Sequence, residues 1–241
     1  TLESTQLKAG LLKHLGQIDQ AITVFSEAIA QHPDHPLILL FRADYLADAG
    51  KLELARADCD SIIQKYPEFG AAYELRARIN VENDDADLAI EDSDQCLAKS
   101  HSTSRVYMYR GVAKLMKDDS DGAFSDLSQA CEIDPENVVA RYHLARVKAV
   151  QGLHEDAVAD LSAVLQSAPE WTDPRIARGF LSLTNGDLKT ATNDFDEVLR
   201  LAPQCIDAYR GRSLVHEAKG QPQEALRMLD KALLLNPDDP S

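Results

Sequence analysis

Histidines and clustered carboxylates are the residues of this sequence that could most readily carry chemistry. His32 and His35, in the stretch QHPDHP, have the spacing of half a metal site, because imidazole is a common metal ligand. No third ligand is evident beside them. The acidic strips ENDDAD and MKDDSD fall at turns that lead into helices, where negative charge is favourable. We therefore expect these residues to be structural and predict no metal site.

Motifs typical of enzymes do not occur in the sequence. It contains no glycine-rich phosphate loop, no nucleophile elbow and no H-E-x-x-H. We predict that the chain is not an enzyme and binds no cofactor.

Four cysteines are present, and none belongs to a C-x-x-C pair. We expect buried thiols at Cys59, Cys96 and Cys131 and a loop thiol at Cys205. Unpaired thiols suit a reducing compartment, which favours a cytoplasmic location.

The net charge of -15 and the pI near 4.8 restrict the classes of partner. Nucleic-acid binders gain affinity from Lys and Arg that neutralise phosphates, so we expect no nucleic acid and no docking on anionic membranes. No apolar run approaches the roughly 20 residues that span a bilayer, which argues against membrane insertion. No signal peptide is visible. The start at Thr1 favours an origin by cleavage of a longer chain.

The elements that carry these residues follow an internal repeat of 34 residues. Alanine recurs at Ala21, Ala55, Ala89, Ala123, Ala157, Ala191 and Ala225. Proline recurs at Pro33, Pro67, Pro135, Pro169, Pro203 and Pro237, with His101 in the remaining slot. Gly or Asp recurs at Gly16, Gly50, Asp84, Asp118, Gly152, Gly186 and Gly220. A small residue recurs at Ala9, Ala43, Ala77, Gly111, Ala145, Gly179 and Ser213.

Each series has a physical reason in a pair of helices. The apolar spacing on both sides of the glycine series is helical. Glycine there provides a left-handed C-terminal cap for the first helix, and proline ends the second helix. The small residues suit positions where paired helices cross closely. The shared register predicts one array over 2–239, with repeats at 2–35, 36–69, 70–103, 104–137, 138–171, 172–205 and 206–239.

This pattern resembles the tetratricopeptide repeat (TPR) family, whose period and A-x-x-x-F signature it shares. Ala21/Phe25 and Ala191/Phe195 match the signature, whereas Ala89/Ser93 departs from it. The resemblance implies an all-α fold, an α-solenoid of seven helix-turn-helix repeats forming a right-handed superhelix. The first helix of each repeat would line a concave groove. With Ser93 and Asp84 at weak positions, the third repeat is predicted to open first.

Arginines and aspartates form a ladder in the same register. Positions that meet in an antiparallel hairpin have a nearly constant index sum, which places an Arg series opposite an Asp series. The four complete pairs are Arg42/Asp58, Arg76/Asp92, Arg110/Asp126 and Arg178/Asp194. A carboxylate this near the core needs a partner, so we predict ion pairs. Asp160 faces Leu144 instead and is expected to pair with Arg141 or Arg175.

The resemblance also indicates a function, that of a non-catalytic scaffold that binds a peptide or helix of another protein. The predicted groove residues are Phe41, Arg78, Arg105, Met108, Tyr109, Tyr142, His143, Arg146, Phe180 and Arg210. Aromatic residues and Arg are frequent in binding hot spots. The early groove is acidic and the later groove has Arg and His, so we expect an acidic or C-terminal segment to bind toward Arg105, Arg146 and Arg210. Met108 and Tyr109 have an alternative role, packing between adjacent hairpins.

The sequence is compatible with two other functions and argues against a third. The last repeat has Leu226, Leu229, Leu233 and Leu234 with no following repeat in the sequence, which favours self-association by stacking. The chain could also be the regulatory arm of a larger multidomain protein. The carboxylate clamp of chaperone-binding TPR proteins is not expected, because the only first-helix candidate asparagine, Asn80, is out of register.

Overall fold

The chain folds into paired α-helices in a computed structural model that describes residues 2–235. Within that range there are fourteen helices and no strand. Their bounds are α1 Leu2–His14, α2 Ile18–Gln31, α3 Pro36–Asp48, α4 Leu52–Lys65, α5 Gly70–Glu82, α6 Ala86–Ala98, α7 Ser104–Met116, α8 Ser120–Ile133, α9 Val138–Val150, α10 His154–Ser167, α11 Thr172–Thr184, α12 Leu188–Leu201, α13 Ile206–Ala218 and α14 Pro222–Leu235. The predicted α-solenoid of helix-turn-helix repeats is confirmed. Pro237 and the end of the seventh repeat at Asp239 lie outside the described residues.

The helices form two compact units that divide between Ile133 and Asp134. The first unit contains α1–α8 and the second α9–α14. Inside each unit a helix packs against its hairpin partner and against the helix that follows it. First helices of neighbouring repeats also touch, as α3 and α7 both do with α5, and as α11 does with α9 and α13. First helices therefore share one face of each unit.

Left-handed residues end the first helices, as the sequence predicts. The positive φ angles belong to Gly16, Gly50, Gly152, Gly186 and Gly220 and to the two aspartates of the same series. Asp84 has φ 59° and Asp118 has φ 60°, a region that costs a residue with a Cβ about 1–2 kcal/mol. The first helices of repeats three and four are therefore capped less favourably than the others.

Proline follows the end of most second helices, but the second helix of the third repeat ends without one. Where a described proline of the series is present, the second helix ends two residues before it. In the third repeat His101 takes the proline position, α6 ends earlier at Ala98, and Ser100 adopts a positive φ of 58°. This difference leaves the His101 side chain free to take part in a site described below.

Small residues fill the close crossings between helices. Every alanine of the series from Ala21 to Ala191 is fully buried, while Ala225 on α14 is only partly covered. A Cβ on Gly179 would lie 2.8 Å from the ring of Phe195, and one on Gly111 would lie 2.7 Å from Leu127. The prediction that these positions must stay small is confirmed at both glycines.

The predicted arginine–aspartate ladder is confirmed in all four repeats. In each pair Nε and Nη2 of the arginine donate to the two carboxylate oxygens of the aspartate at 2.6–2.9 Å. The aspartates are buried and the arginines are partly exposed. A two-pronged, charge-assisted contact of this kind is stronger than a neutral hydrogen bond.

The same arginines also reach the preceding repeat through Nη1, a contact that pairing within one hairpin does not predict. Arg76 pairs with Asp60 at 2.5 Å and Arg110 with Asp94 at 2.6 Å. Arg42 and Arg178 instead donate to the hydroxyl groups of Ser26 and Ser162, at 3.3 and 3.0 Å. Each arginine therefore links its own hairpin to the one before it.

The predicted partner of Asp160 is wrong. Its carboxylate pairs with Lys148 at 2.6 Å, which stands one helical turn after the leucine at the arginine position. Arg141 and Arg175 instead donate to the carbonyls of Pro135 and Pro169 at 2.8 and 2.6 Å. Those contacts close the loops before α9 and α11, and Arg175 Nη1 also lies 3.7 Å from Asp194.

The thiol predictions hold in part. Cys59 and Cys96 are buried, and burial raises the pKa of both thiols, that of Cys96 to about 12. Cys205 precedes α13, as expected for a loop thiol. Cys131 is only half-buried, because it stands at a second-helix position that is partly exposed in most repeats. None of the helices between residues 2 and 235 has both the length and the apolar character to cross a membrane.

Candidate protein-binding site

A pocket of about 290 Å³ opens on the first-helix face of the first unit. Its walls come from α3, α5 and α7 and from the loop before α7. The lining residues are Leu40, Phe41, Asp44, Ala71, Glu74, Leu75, Arg78, His101, Thr103, Arg105 and Tyr109. Repeats two, three and four therefore build the pocket together, because the 34-residue period brings equivalent faces side by side.

The buried carboxylate of Glu74 organises one wall. It is 7% exposed and receives three contacts. Thr103 Oγ1 donates to Oε2 at 2.6 Å, His101 Nε2 lies 3.0 Å from the same oxygen, and Arg105 Nε lies 2.8 Å from Oε1. Burying a charge is costly unless it is paired, so this network fixes the wall around Glu74.

Arg78 lies one turn after Glu74 on α5, forms a second charged part of the pocket wall and is held by three carboxylates. Its Nη1 contacts Asp44 at 2.9 Å, its Nη2 contacts Asp48 at 2.6 Å and its Nε contacts Glu82 at 2.7 Å. Burial alone would lower the pKa of Arg78, but the hydrogen bonds to Asp48 and Glu82 outweigh it and raise that pKa. Lys13 of α1 adds a second cation to Asp48.

Asp44 is the least compensated of these carboxylates. Burial and repulsion from Asp48 raise its pKa above the usual range, against the attraction of Arg78 and Lys13. Its side chain is 44% exposed, so the carboxylate faces the opening as well as Arg78. An additional cation would be favourable beside it.

Apolar groups form the floor of the pocket. Leu40, Phe41 and Leu75 line it, and the Phe41 ring stacks on Phe25 with centroids 6.0 Å apart. Tyr109 closes one side, and burial raises its pKa to about 12, so the phenol stays neutral. The pocket thus combines an apolar base with polar walls, as protein and ligand sites commonly do.

Four of the five groove residues predicted for the first unit line this pocket, namely Phe41, Arg78, Arg105 and Tyr109. Met108, the fifth, is 7% exposed and lies among the buried residues. It occupies the inner side of α7, which corresponds to the packing role considered as its alternative. Both predicted arginines of this unit contact carboxylates, Arg78 through all three of its nitrogens and Arg105 through Nε, while the Arg105 side chain remains 66% exposed.

The second unit places three predicted residues in one aromatic cluster. The Tyr142 ring lies 5.1 Å from that of His143 and 4.9 Å from that of Trp171, and Arg146 lies 5.8 Å above it. Burial and the charge of Arg146 lower the pKa of His143 to about 4, so its ring is neutral. The buried Nδ1 of His143 has no hydrogen-bond partner among the described residues.

The two remaining predicted residues, Phe180 and Arg210, make their contacts outside this cluster. Phe180 packs edge-on against Phe195 with centroids 5.0 Å apart and joins the core of its repeats. Arg210 is exposed and contacts Asp207 of its own helix at 3.7 Å. Tyr142, His143 and Arg146 therefore lie together in one cluster, whereas Phe180 packs in the core.

Seven lining residues are outside the ten groove residues named above, namely His101, Thr103, Leu40, Asp44, Ala71, Glu74 and Leu75. The first two lie in the loop before α7 and on its N-cap, where helical periodicity carries no signal. The replacement of proline by His101 was the available clue. Across residues 2–235, His, Cys, Asp and Glu side chains form no group of three or more that could hold a metal ion.

The comparisons with known proteins identify the family. Tetratricopeptide repeat models match residues 11–68, 117–186 and 182–241. The chain belongs to the tetratricopeptide repeat family. The matched ranges leave out the third repeat, where Asp84, Ser93 and His101 depart from the pattern and where much of the pocket is built. No curated protein matches the chain at a significant level.

Solved structures share the fold at low sequence identity. A chain of the APC/C hetero-tetramer Cut9-Hcn1 has a TM-score of 0.86 at 17% identity, covering 100% of this chain and 47% of that one. The present chain therefore spans about half the length of that relative. PilW, a type IV pilus biogenesis factor, has a TM-score of 0.75 at 18% identity, with coverages of 85% and 95%. YrrB, a TPR protein with an unusual peptide-binding site, has a TM-score of 0.50 at 19% identity, with coverages of 89% and 93%.

Proposed function

We propose that this chain is a non-catalytic scaffold that binds a peptide or helical segment of a partner protein in the pocket of its first unit. The observation that carries the proposal is the joint construction of that pocket by α3, α5 and α7 around an apolar floor. TPR proteins with this fold include a member of a hetero-tetramer, a pilus biogenesis factor and a protein with a peptide-binding site, which supports a role in protein binding.

The aromatic cluster of the second unit supports the same function. Tyr142, Trp171 and Arg146 are residue types enriched at binding hot spots, and Arg146 is exposed. A long partner segment would thus have a second surface of suitable composition. Catalysis has no comparable support, since the carboxylates of the pocket are held in ion pairs with Arg78 and Arg105.

A pull-down from a cell lysate with a pocket-filling variant tests the proposal. Ala71→Trp places an indole in the pocket without removing any of its charged contacts. Ala57→Trp is the matched control, because Ala57 is exposed on α4, a second helix away from the pocket. We expect the parent and Ala57→Trp to capture the same partner and Ala71→Trp to lose it. Equal capture by all three proteins would reject the pocket as the binding site.

Self-association is a second candidate, favoured by the apolar face of α14. Within the described residues Leu226, Leu233 and Leu234 are 60%, 52% and 81% exposed. Leu229 is at the position that Phe195 holds one repeat earlier. Phe195 is covered in part by residues of the next helix, α13. Light scattering of the parent and of a Leu226→Glu/Leu233→Glu variant tests this candidate. A mass that rises with concentration only in the parent supports stacking, and a constant monomer mass in both contradicts it.

A further inference from the structure

The size and shape of the first-unit pocket limit what it can hold. Its volume of about 290 Å³ lies just below the roughly 300–1,000 Å³ typical of small-molecule sites. The apolar part is restricted to the floor of Leu40, Phe41 and Leu75. One large apolar side chain, carried by a segment that crosses the face of α3, α5 and α7, fits this description.

Carboxylates already engage Arg78 fully and Arg105 in part. Arg78 has all three of its nitrogen positions on carboxylates, and the Nε of Arg105 is on Glu74. An acidic ligand would have to compete with these contacts or repel the carboxylates behind them. An acidic segment that approached the exposed end of Arg105 would meet the carboxylate of Glu74 directly behind it, and binding of such a segment toward Arg105 stays the competing prediction.

Around Arg78, in contrast, there are more carboxylates than cations. Asp44, Asp48 and Glu82 surround Arg78. Lys13 adds a second positive charge at Asp48, and the charge of Arg105, which is paired with Glu74, also acts on Asp44. Asp44 contacts Arg78 through Oδ1 and is substantially exposed toward the opening. The net charge of -15 for the whole chain adds a long-range field of the same sign.

Resting on the proposed function, we propose that the pocket selects a partner segment in which an apolar anchor residue stands next to a lysine or arginine. The anchor enters the floor between Phe41 and Leu75. The neighbouring cation lies against Asp44. Tyr109 lines the pocket beside this site and stays neutral, so it adds no charge that would oppose the cation.

Panning a display library of short random peptides on the immobilised parent, Ala71→Trp and Ala57→Trp proteins tests this selectivity. We expect peptides that bind the parent and Ala57→Trp, but not Ala71→Trp, to be enriched in Leu, Phe or Met beside Lys or Arg. A synthetic peptide of the enriched sequence is then compared by fluorescence anisotropy with a copy whose basic residues are glutamine.

A charge-removing variant assigns the selectivity to one carboxylate. Asp44→Asn is expected to weaken binding of the basic peptide about two- to five-fold, the range for a partly exposed ion pair. It should leave the glutamine copy unaffected. Glu53→Gln, which removes an exposed charge on α4, is the control and should change neither affinity. Added salt should weaken the basic peptide only.

The outcomes separate this inference from the proposed function. Pocket-dependent peptides that are acidic, or that show no preference for Lys or Arg, would overturn the selectivity while leaving peptide binding in the pocket intact. An Asp44→Asn protein that binds the basic peptide as well as the parent does so would also overturn it. Enrichment that Ala71→Trp retains, or no enrichment at all, would contradict both proposals.

Discussion

Arg110 donates two parallel hydrogen bonds to the carboxylate of Asp126, from Nε at 2.8 Å and from Nη2 at 2.6 Å. Asp126 is buried, and Lys114 supplies a third contact at 2.7 Å. Arg110 also reaches Asp94 of the preceding repeat at 2.6 Å. One side chain therefore joins both helices of its hairpin and the hairpin before it.

A double-mutant cycle on Arg110 and Asp126 measures this relationship. Arg110→Ala is expected to lower the free energy of unfolding by about 2–3 kcal/mol, less than the 3–5 kcal/mol for breaking a fully buried pair, because Lys114 still faces Asp126. The coupling from urea unfolding of the four proteins should fall within about 0.5–3 kcal/mol. Coupling near zero would mean that the pair contributes geometry without stability.

A second prediction concerns the cap of α7. Asp118 adopts φ 60°, which is unfavourable for a residue with a Cβ, whereas Gly152 holds the equivalent position of the next repeat at φ 78°. Asp118→Gly should raise the free energy of unfolding by about 0.5–1 kcal/mol, since the relieved strain exceeds the added entropy of the unfolded chain. Thermal unfolding checks this.

Gly152→Ala is the reverse control for the cap. A Cβ at Gly152 would meet no atom within 4 Å, so any loss of stability comes from the backbone conformation alone. It should destabilise by about 1 kcal/mol. If Asp118→Gly proved neutral while Gly152→Ala was harmful, the aspartate side chain would have to supply a compensating interaction.

The pH dependence of the second unit is predicted from His143. Its pKa is lowered from 6.5 to about 4, because burial and Arg146 disfavour the imidazolium. Below about pH 6.5 the unfolded chain binds a proton at this residue that the folded chain does not bind until about pH 4. Unfolding therefore takes up a proton, and stability falls as the pH drops through that window.

His143→Gln should remove this part of the acid sensitivity. Relative to the parent, its free energy of unfolding should improve steadily from neutral pH to about 4, as measured by denaturant unfolding across the range. His154→Gln, at the start of α10 and away from the aromatic cluster, is the control. Parallel pH profiles for the parent and His143→Gln would show that His143 titrates alike in both states.

Periodicity made the helices, their caps and the arginine ladder predictable, because each depends on one repeating register. The pairing of Asp160 was missed because a flexible Lys148 reaches it from a neighbouring turn, which an index sum does not capture. The engagement of Arg78 had a signal that went unused, since Asp44 stands one 34-residue period before it and so faces it from the adjacent repeat. Early opening of the third repeat, with Ser93 and Asp84, stays a prediction.

The last prediction concerns Phe195, whose ring lies between the helices of two repeats. A Cβ on Gly179 would approach that ring to 2.8 Å, and a Cβ on Gly211 would overlap it. Gly211 stands at the groove position that Tyr109 and His143 fill in other repeats. The size of Phe195 therefore explains why this position has no side chain.

Gly211→Ala should destabilise the second unit by about 1–3 kcal/mol, the usual cost of overpacking a core. At the preceding repeat boundary, Leu161 stands at the position of Phe195 and Ala177 at the position of Gly211. There the smaller leucine packs near an alanine, which is larger than glycine. Phe195→Leu in the Gly211→Ala background recreates that combination and should recover part of the loss. Denaturant unfolding of the two single variants and the double variant gives the coupling, which we expect to favour the double variant. Strictly additive losses would mean that the clash is relieved elsewhere in the repeat, and that Gly211 is required by its backbone rather than by the neighbouring ring.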